Sequence, residues 1–462
     1  MAGPRQAGAS ETSPLLSPSR DGDGESPDAG TSAGSMGQVI LLCCARAIDP
    51  LAFFTIFPFA NQMIAETTGM KESNVGFYSG IIESLFSVTQ MLLMIPWARA
   101  ADRIGRKPTL VLSLAGLSVS SALFGFSQTL GQMIFLRCLA GVFGGTVVTV
   151  RVMISENSTP DTQARAFSYF SLANTIGTVV GPLLGGALSR PGVIPQFPYA
   201  LPTVAAGGIG AVVTVACMFL GNETRAPGES GHKAATASPW TTAEILRSPG
   251  VRPVLYIYGH SMLLAFAYTA VSPVFYFTSP KLGGYGFSPF FISLFLGGSG
   301  IAQTTWLLLV YPSLHKRLGS GRVLRGMCAV WIVFLAGTVG ASLLRHYGET
   351  VAFWILAPLA LMLGSSVAMQ LTAIQLALDA VSPSPAALGT LNAMALAIIS
   401  CLRAVAPALF TSLYASSLKL AIGGVYVFWA VLGALVVILM IALRWLPEQV
   451  ERPPQKPDQT RA

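Results

Sequence analysis

Runs of about 20 or more mainly apolar residues, each long enough to cross roughly 30 Å of hydrocarbon as helix, recur through most of this chain. Twelve can be placed, at 38–64, 75–97, 109–127, 131–152, 166–189, 198–220, 252–278, 288–310, 323–344, 351–375, 388–415 and 422–445. Lipid offers backbone N–H and C=O groups no partners, so each run must satisfy its own as helix. The expected class is therefore an all-α integral membrane protein with twelve transmembrane helices. The composition agrees: 52% of residues are hydrophobic and 10% charged, where soluble domains carry about a quarter charged.

Basic residues orient the bundle, because cytosolic loops collect Lys and Arg. With both termini cytosolic, cytosolic segments hold 20 of the 28 basic residues, and outside loops hold Lys71, Arg190, Lys281, Arg345 and Lys419. Arg46, Arg137 and Arg403 lie inside spans. The net charge of +8 thus follows from topology, and no nucleic-acid partner is expected. The six cysteines include no CxxC pair and there is no histidine cluster, so neither a disulfide framework nor a metal site is expected. Buried apolar thiols are the better reading.

Residues 1–35, rich in Gly, Ser, Pro and Ala, read as a disordered cytosolic tail without the apolar stretch of a signal peptide. Within the tail, Glu11-Thr-Ser-Pro-Leu15-Leu16 fits an acidic dileucine sorting pattern, which adds the vacuolar membrane as an alternative to the plasma membrane. The polar stretch 221–250 reads as a linker between a six-helix bundle at 36–220 and another at 251–446, with a cytosolic tail at 447–462. The halves echo each other: Arg317-Leu-Gly319 sits after span 8 as Arg103-Ile-Gly105 sits after span 2. A repeat of this kind places a substrate site at the midplane, between halves that rock. The sequons at Asn157 and Asn222 fall on the cytosolic side and should remain unglycosylated.

Charges inside spans are expensive and mark function by default. Arg46 and Asp49 stand i, i+3 on one helix face, followed on the same stripe by Phe53, Phe57 and Asn61. Glu83 lies a third of the way into span 2, with Arg46 or Arg137 as partner; a proton site and a structural ion pair both fit it. His260 lies nine residues into span 7, and Arg403 in span 11. In the turn after span 2, "ADRIGRKP" places Asp102 among Arg103, Arg106 and Lys107, with Gly105 as a permissive position. The bases suit a cytosolic anchor. The acid is extra, and suits a latch that pairs with a neighbouring base or caps a helix N-terminus. In span 5, Gly177, Gly181 and Gly185 recur every four residues on one face, with Pro182 and Gly186 adding a kink and flexibility. A plain packing seam is the alternative there.

Positions 98–107 resemble the loop signature G-x-x-x-D-R-x-G-R-K of the major facilitator superfamily, with Ala98 where glycine is usual. The span-5 pattern G-x-x-x-G-P-x-x-G-G resembles the antiporter signature of the superfamily's twelve-helix drug:proton branch. Arg137 in "RCLAG" resembles an arginine linked there to proton coupling, although an arginine near the outer end can also snorkel. Glu156 and Arg165 resemble the family's cytosolic acid-to-base relay, with a solvated surface pair as the alternative. The stretches "RAIDPLAFFTIFPFANQM" and, with Asn392, Arg403 and Pro407, "LGTLNAMALAIISCLRAVAPAL" are similar to a fungal group related to the zinc-induced-facilitator-like transporters. Zinc does not follow: the central linker holds one histidine, His232, where ligation needs three or four groups.

The resemblance implies a monomeric, proton-coupled antiporter that exports a small organic molecule by alternating access, with no cofactor and no metal. The cargo classes are an organic acid, a secondary metabolite or a xenobiotic. The intramembrane charges carry one net positive charge, which tilts the expectation toward an anionic cargo. Asn174, Gln303, Gln370 and Gln375 are candidates to orient it, and Trp306, Phe266 and Tyr268 to contact it. An uptake facilitator or symporter is the alternative; the sugar branch is disfavoured because span 6 ends in "GNETRAP". A non-transporting receptor would not need the repeated halves. An enzyme would need a nucleophile, base and orienting group in reach of one another, and no such cluster stands out.

Overall fold

The computed structural model describes residues 36–189, 196–224, 240–420, 424–447 and 450. The N-terminal tail with Leu15-Leu16, Arg190, linker residues 225–239 with His232, and residues 451–462 lie outside them. Twelve helical crossings run through the described residues: α1 (Met36–Thr68), α2 (Glu72–Ile104), α3 (Arg106–Phe124), α4 (Leu130–Glu156), α5 (Pro160–Leu188), α6 (Ala200–Leu220), α7 (Val251–Phe277), α8 (289–318), α9 (320–346), α10 (Thr350–Ala380), α11 (Pro385–Ser417) and α12 (Val425–Ala442). Each expected span lies in one of them, displaced by a few residues at the ends.

Helices α8 and α9 follow one another within 58 residues, from Pro289 to His346. At 1.5 Å per residue a straight helix of that length reaches about 87 Å, near three times a bilayer core. The chain turns instead at Gly319, whose φ of 76° and ψ of 167° are not helical. Gly105, between α2 and α3, has φ 116° and ψ 158°. The repeated Arg-x-Gly elements are thus the same backbone device, at a φ that favours glycine.

The buried apolar residues form two cores, one drawn from residues 39–217 and one from 245–450. Between the cores, the linker carries a short helix, Thr242–Arg247, that the sequence reading left as irregular chain. Thr241 and Glu244 cap it reciprocally, and the hydrogen bonds from Thr241 hold the Glu244 carboxyl below its usual range.

The two cores meet at the end that the basic-residue count assigns to the outside. There, a side chain at Gly80 would come 2.7 Å from the Pro407 carbonyl and 3.0 Å from Ala408 Cα. The Ala408 N–H donates to Ser84 Oγ at 2.9 Å, and the Ser279 N–H to Glu72 at 3.2 Å. A side chain at Gly186 would strike Ser293 and come 2.6 Å from the Pro289 carbonyl, and one at Gly297 would strike Leu183. Toward the opposite end the seams part. A cavity of about 480 Å³ separates Phe167 and Ser171 of α5 from Thr304 and Leu307 of α8. Another, of about 720 Å³, lies between Arg151 of α4 and Tyr258, Gln375 and Asn392. On the predicted topology the halves are closed outside and open toward the cytosol.

Candidate functional site

The three glycines of α5 bring it against the backbone of α1. A side chain at Gly177 would strike the Ala47 carbonyl, one at Gly181 would come 2.9 Å from the Leu51 carbonyl, and one at Gly185 would strike the Thr55 carbonyl. These glycines therefore let α5 pack closely on α1, and the contact has a chemical consequence. Asn174, three residues before Gly177 on the same helix, is brought to 2.5 Å from Arg46, whose Nη2 donates to its Oδ1. Arg46 also lies 3.7 Å from Asp49 and 5.1 Å over the Phe170 ring. Asp49 in turn accepts from Gln90 Nε2 at 3.2 Å, an amide that also reaches the Gly144 carbonyl at 3.2 Å. Arg46 thus faces Asp49 and Asn174 rather than Glu83.

Glu83 belongs to a second cluster, nearer the outer end. It lines a small cavity with Arg137 and Asn61, and Arg137 and Arg403 are the cations that act on it. Among the described residues no ion pair within 4 Å forms on its carboxylate. Arg137 is 3% exposed, so it does not snorkel; it is enclosed by the rings of Phe86 at 5.0 Å, Phe53 at 5.3 Å and Phe124 at 5.7 Å, and donates to the Phe53 carbonyl at 3.4 Å. Arg403 approaches Phe53 from α11, at 5.0 Å. One ring therefore lies within cation–π distance of an arginine from each half. The five intramembrane charges named from sequence thus fall into two neighbouring groups, Arg46 with Asp49 and Glu83 with Arg137 and Arg403.

His260 does not join them. Its Nε2 lies 2.9 Å from the Leu435 carbonyl in α12, and its Nδ1 lies 3.4 Å from the Tyr256 hydroxyl. The polar candidates for cargo also separate. Gln303 and Tyr268 line a cavity of about 120 Å³ with Ser299, Trp331 and Phe334, which has no charged side chain in its wall. Asn174 is taken by Arg46, and Gln370 donates to Ser261 at 2.9 Å. Gln375 donates to Asn392 at 2.9 Å and to Asp379 at 3.3 Å. Trp306 donates to the Met362 carbonyl at 2.9 Å, and Phe266 packs against the second core.

At the cytosolic end, Arg106 pairs with Asp102 at 2.5 Å and with Glu156 at 3.2 Å. Glu156 therefore meets Arg106, and the expected Glu156–Arg165 pair does not form; Arg165 donates to the Tyr169 hydroxyl at 2.8 Å. Glu156 is also held by the Thr224 hydroxyl at 2.5 Å. The N-terminus of α3 is capped across the bundle, as a latch acid should do, but by Glu223: it accepts from the N–H of Arg106 at 2.9 Å and of Lys107 at 3.1 Å. Helix N-termini favour such anions. Sequence reasoning missed Glu223, whose signal was an acid directly after span 6 on the side where bases collect. Arg103 is exposed on the same surface, and Gly105 supplies the turn.

All six cysteines are free, but only Cys217 and Cys328 are buried; Cys44 and Cys401 are exposed on their helices. The expectation of buried thiols therefore holds for Cys217 and Cys328 and fails for Cys44 and Cys401.

The Major Facilitator Superfamily description matches residues 42–400 of this chain. The chain is 76% identical over 455 residues to "Efflux pump azaK" of Aspergillus niger, covering 97% of each. It is 27% identical over 332 residues to "Protein ZINC INDUCED FACILITATOR 1" of Arabidopsis thaliana, covering 63% of this chain and 68% of that one. Its fold matches, with a TM-score of 0.67 and 16% identity, the inward-facing crystal structure of a bacterial homologue of the human lysosomal transporter Spinster, covering 92% of this chain and 100% of that one. This last likeness speaks to the fold alone. The repeated turn glycines, the two cores and the matched sequence agree, and the chain belongs to the Major Facilitator Superfamily of multi-pass membrane transporters for small molecules.

Proposed function

We propose that this transporter exports a small organic molecule, of the secondary-metabolite class, in exchange for protons, from cytosol to exterior across the plasma membrane. The description of the 76% identical relative as an efflux pump supports the direction. The observation that carries the coupling is the division of the two intramembrane acids, one buried and one half-buried. Asp49 is engaged by Arg46 and Gln90, whereas Glu83 lies toward the outer end beside Arg137 without a close ion pair among the described residues.

Cargo enters from the cytosolic cavities between the six-helix halves at 36–220 and 251–446. The uncharged aromatic wall of Tyr268, Trp331 and Phe334 suits a planar body, with Gln303 and Ser299 as hydrogen-bonding groups. Arg151 at the cavity mouth favours an anionic edge. When the outer seam opens, a proton reaches Glu83 and cancels its attraction for Arg137 and Arg403. The released arginines rearrange around Phe53, and this couples proton entry to cargo release. The cytosolic cluster of Asp102, Arg106, Glu156 and Glu223 opposes cargo leakage by setting the balance between the two conformations.

The test is metabolite profiling of medium from cells with and without the gene, followed by vesicle uptake of the compound whose export is lost. Export lost on deletion, with uptake into inverted vesicles driven by an acidic interior, is expected. A compound that accumulates in the medium on deletion would instead favour uptake.

A further inference from the structure

Asn61 is 1% exposed, and neither heteroatom of its side-chain amide has a hydrogen-bond partner. Buried amides are almost always paired, because an unpaired one forfeits its hydration. The residue lines the same cavity as Glu83 and Arg137, and that cavity has a volume of about 20 Å³. A water needs at least about 10–15 Å³ and two to four polar partners. The space therefore has room for one water, and Asn61, Glu83 and Arg137 are polar groups in its wall. Its position also matters: the wall combines α1, α2 and α4 of the first half with only Ala270 and Pro273 of α7, so it lies at the seam between the two halves.

We infer that Asn61 is a positioning residue for proton entry, holding a water that links the outer cleft to the Glu83 carboxyl. This rests on Glu83 as the proton carrier. The charges around that carboxyl are Arg137 from α4 and Arg403 from α11, with Asp49 of α1 acting on Arg137; α7 contributes no titratable group to the cavity. The proton moves from the water to the carboxylate oxygen, and the water is reprotonated from the cleft, so no bond other than O–H forms or breaks.

The test needs no cargo. The full chain, purified and reconstituted in lipid, is followed by infrared difference spectroscopy between acid and alkaline pH, and Glu83→Gln identifies the carboxyl C=O band of Glu83. That band is then timed during exchange into D₂O. Asn61→Leu should slow the exchange at least about fivefold, whereas Asn61→Ser, which keeps a hydroxyl, should stay within about twofold of the natural chain. Should Asn61→Leu not fold, the smaller Asn61→Val carries the same expectation. A Glu83 band that exchanges at the natural rate in the apolar variant overturns the role of Asn61 and leaves Glu83 as carrier. If Glu83→Gln removes no band, the assignment of Glu83 fails, and that of Asn61 with it.

Discussion

Arg403 of α11 lies 5.0 Å over the ring of Phe53 in α1, so a cation of the second half rests on an aromatic of the first. Arg137 lies 5.3 Å from the same ring. A desolvated contact of this kind contributes up to about 2 kcal/mol. Phe53→Leu keeps an apolar volume but removes both contacts. It should lower transport about tenfold and destabilise the outer-closed state, read as increased labelling of cysteines placed along the α2–α11 seam.

Asn174 gives Arg46 its closest acceptor, at 2.5 Å. In Asn174→Ala that guanidinium nitrogen loses its acceptor, a loss of about 1–3 kcal/mol. The thermal midpoint of the purified protein should fall and transport should drop severalfold. A midpoint equal to that of the natural chain would mean that Arg46 is satisfied elsewhere.

Glu223 caps α3 through the N–H groups of Arg106 and Lys107. Glu223→Ala should cost about 1 kcal/mol, as removal of other N-terminal caps does, and should slow turnover without changing cargo affinity. Glu223→Gln retains an acceptor oxygen and should fall between the two. The comparison of maximal rate with half-saturation concentration in vesicles checks this.

The Ala408 N–H donates to Ser84 across the outer seam at 2.9 Å. With the six natural cysteines replaced, Ser84→Cys and Ala408→Cys joined by a short reducible cross-linker should stop transport, and reduction should restore it. Transport through the cross-linked protein would show that these helices need not separate.

Much of this arrangement was legible in the sequence because lipid leaves few alternatives. Twelve apolar runs had to be helices, and Arg46 and Asp49 at i, i+3 had to share a face. The repeated Arg-x-Gly elements marked both turns, at Gly105 and Gly319. Helical periodicity also put Asn61 on the stripe of Phe53 and Phe57. What it could not supply was contact between helices. Glu156 chose Arg106 over Arg165 because the start of α3 lies beside the end of α4, and Glu223 reached α3 because α6 packs along it; neither proximity is written in local spacing. His260 fitted the intramembrane pattern equally well, but its helix turns it toward the Leu435 carbonyl.

The central claim is that a proton taken up from outside on Glu83 drives export, with Asp49 held to Arg46 as the internal pair. The most direct measurement is pH-gradient-driven uptake of the exported compound into inverted vesicles carrying the natural chain, Asp49→Asn or Glu83→Gln. Each substitution should abolish gradient-driven accumulation, while the protein remains folded and Glu83→Gln still exchanges cargo for cargo without a gradient. Accumulation that follows the pH gradient unchanged in Glu83→Gln would contradict the account.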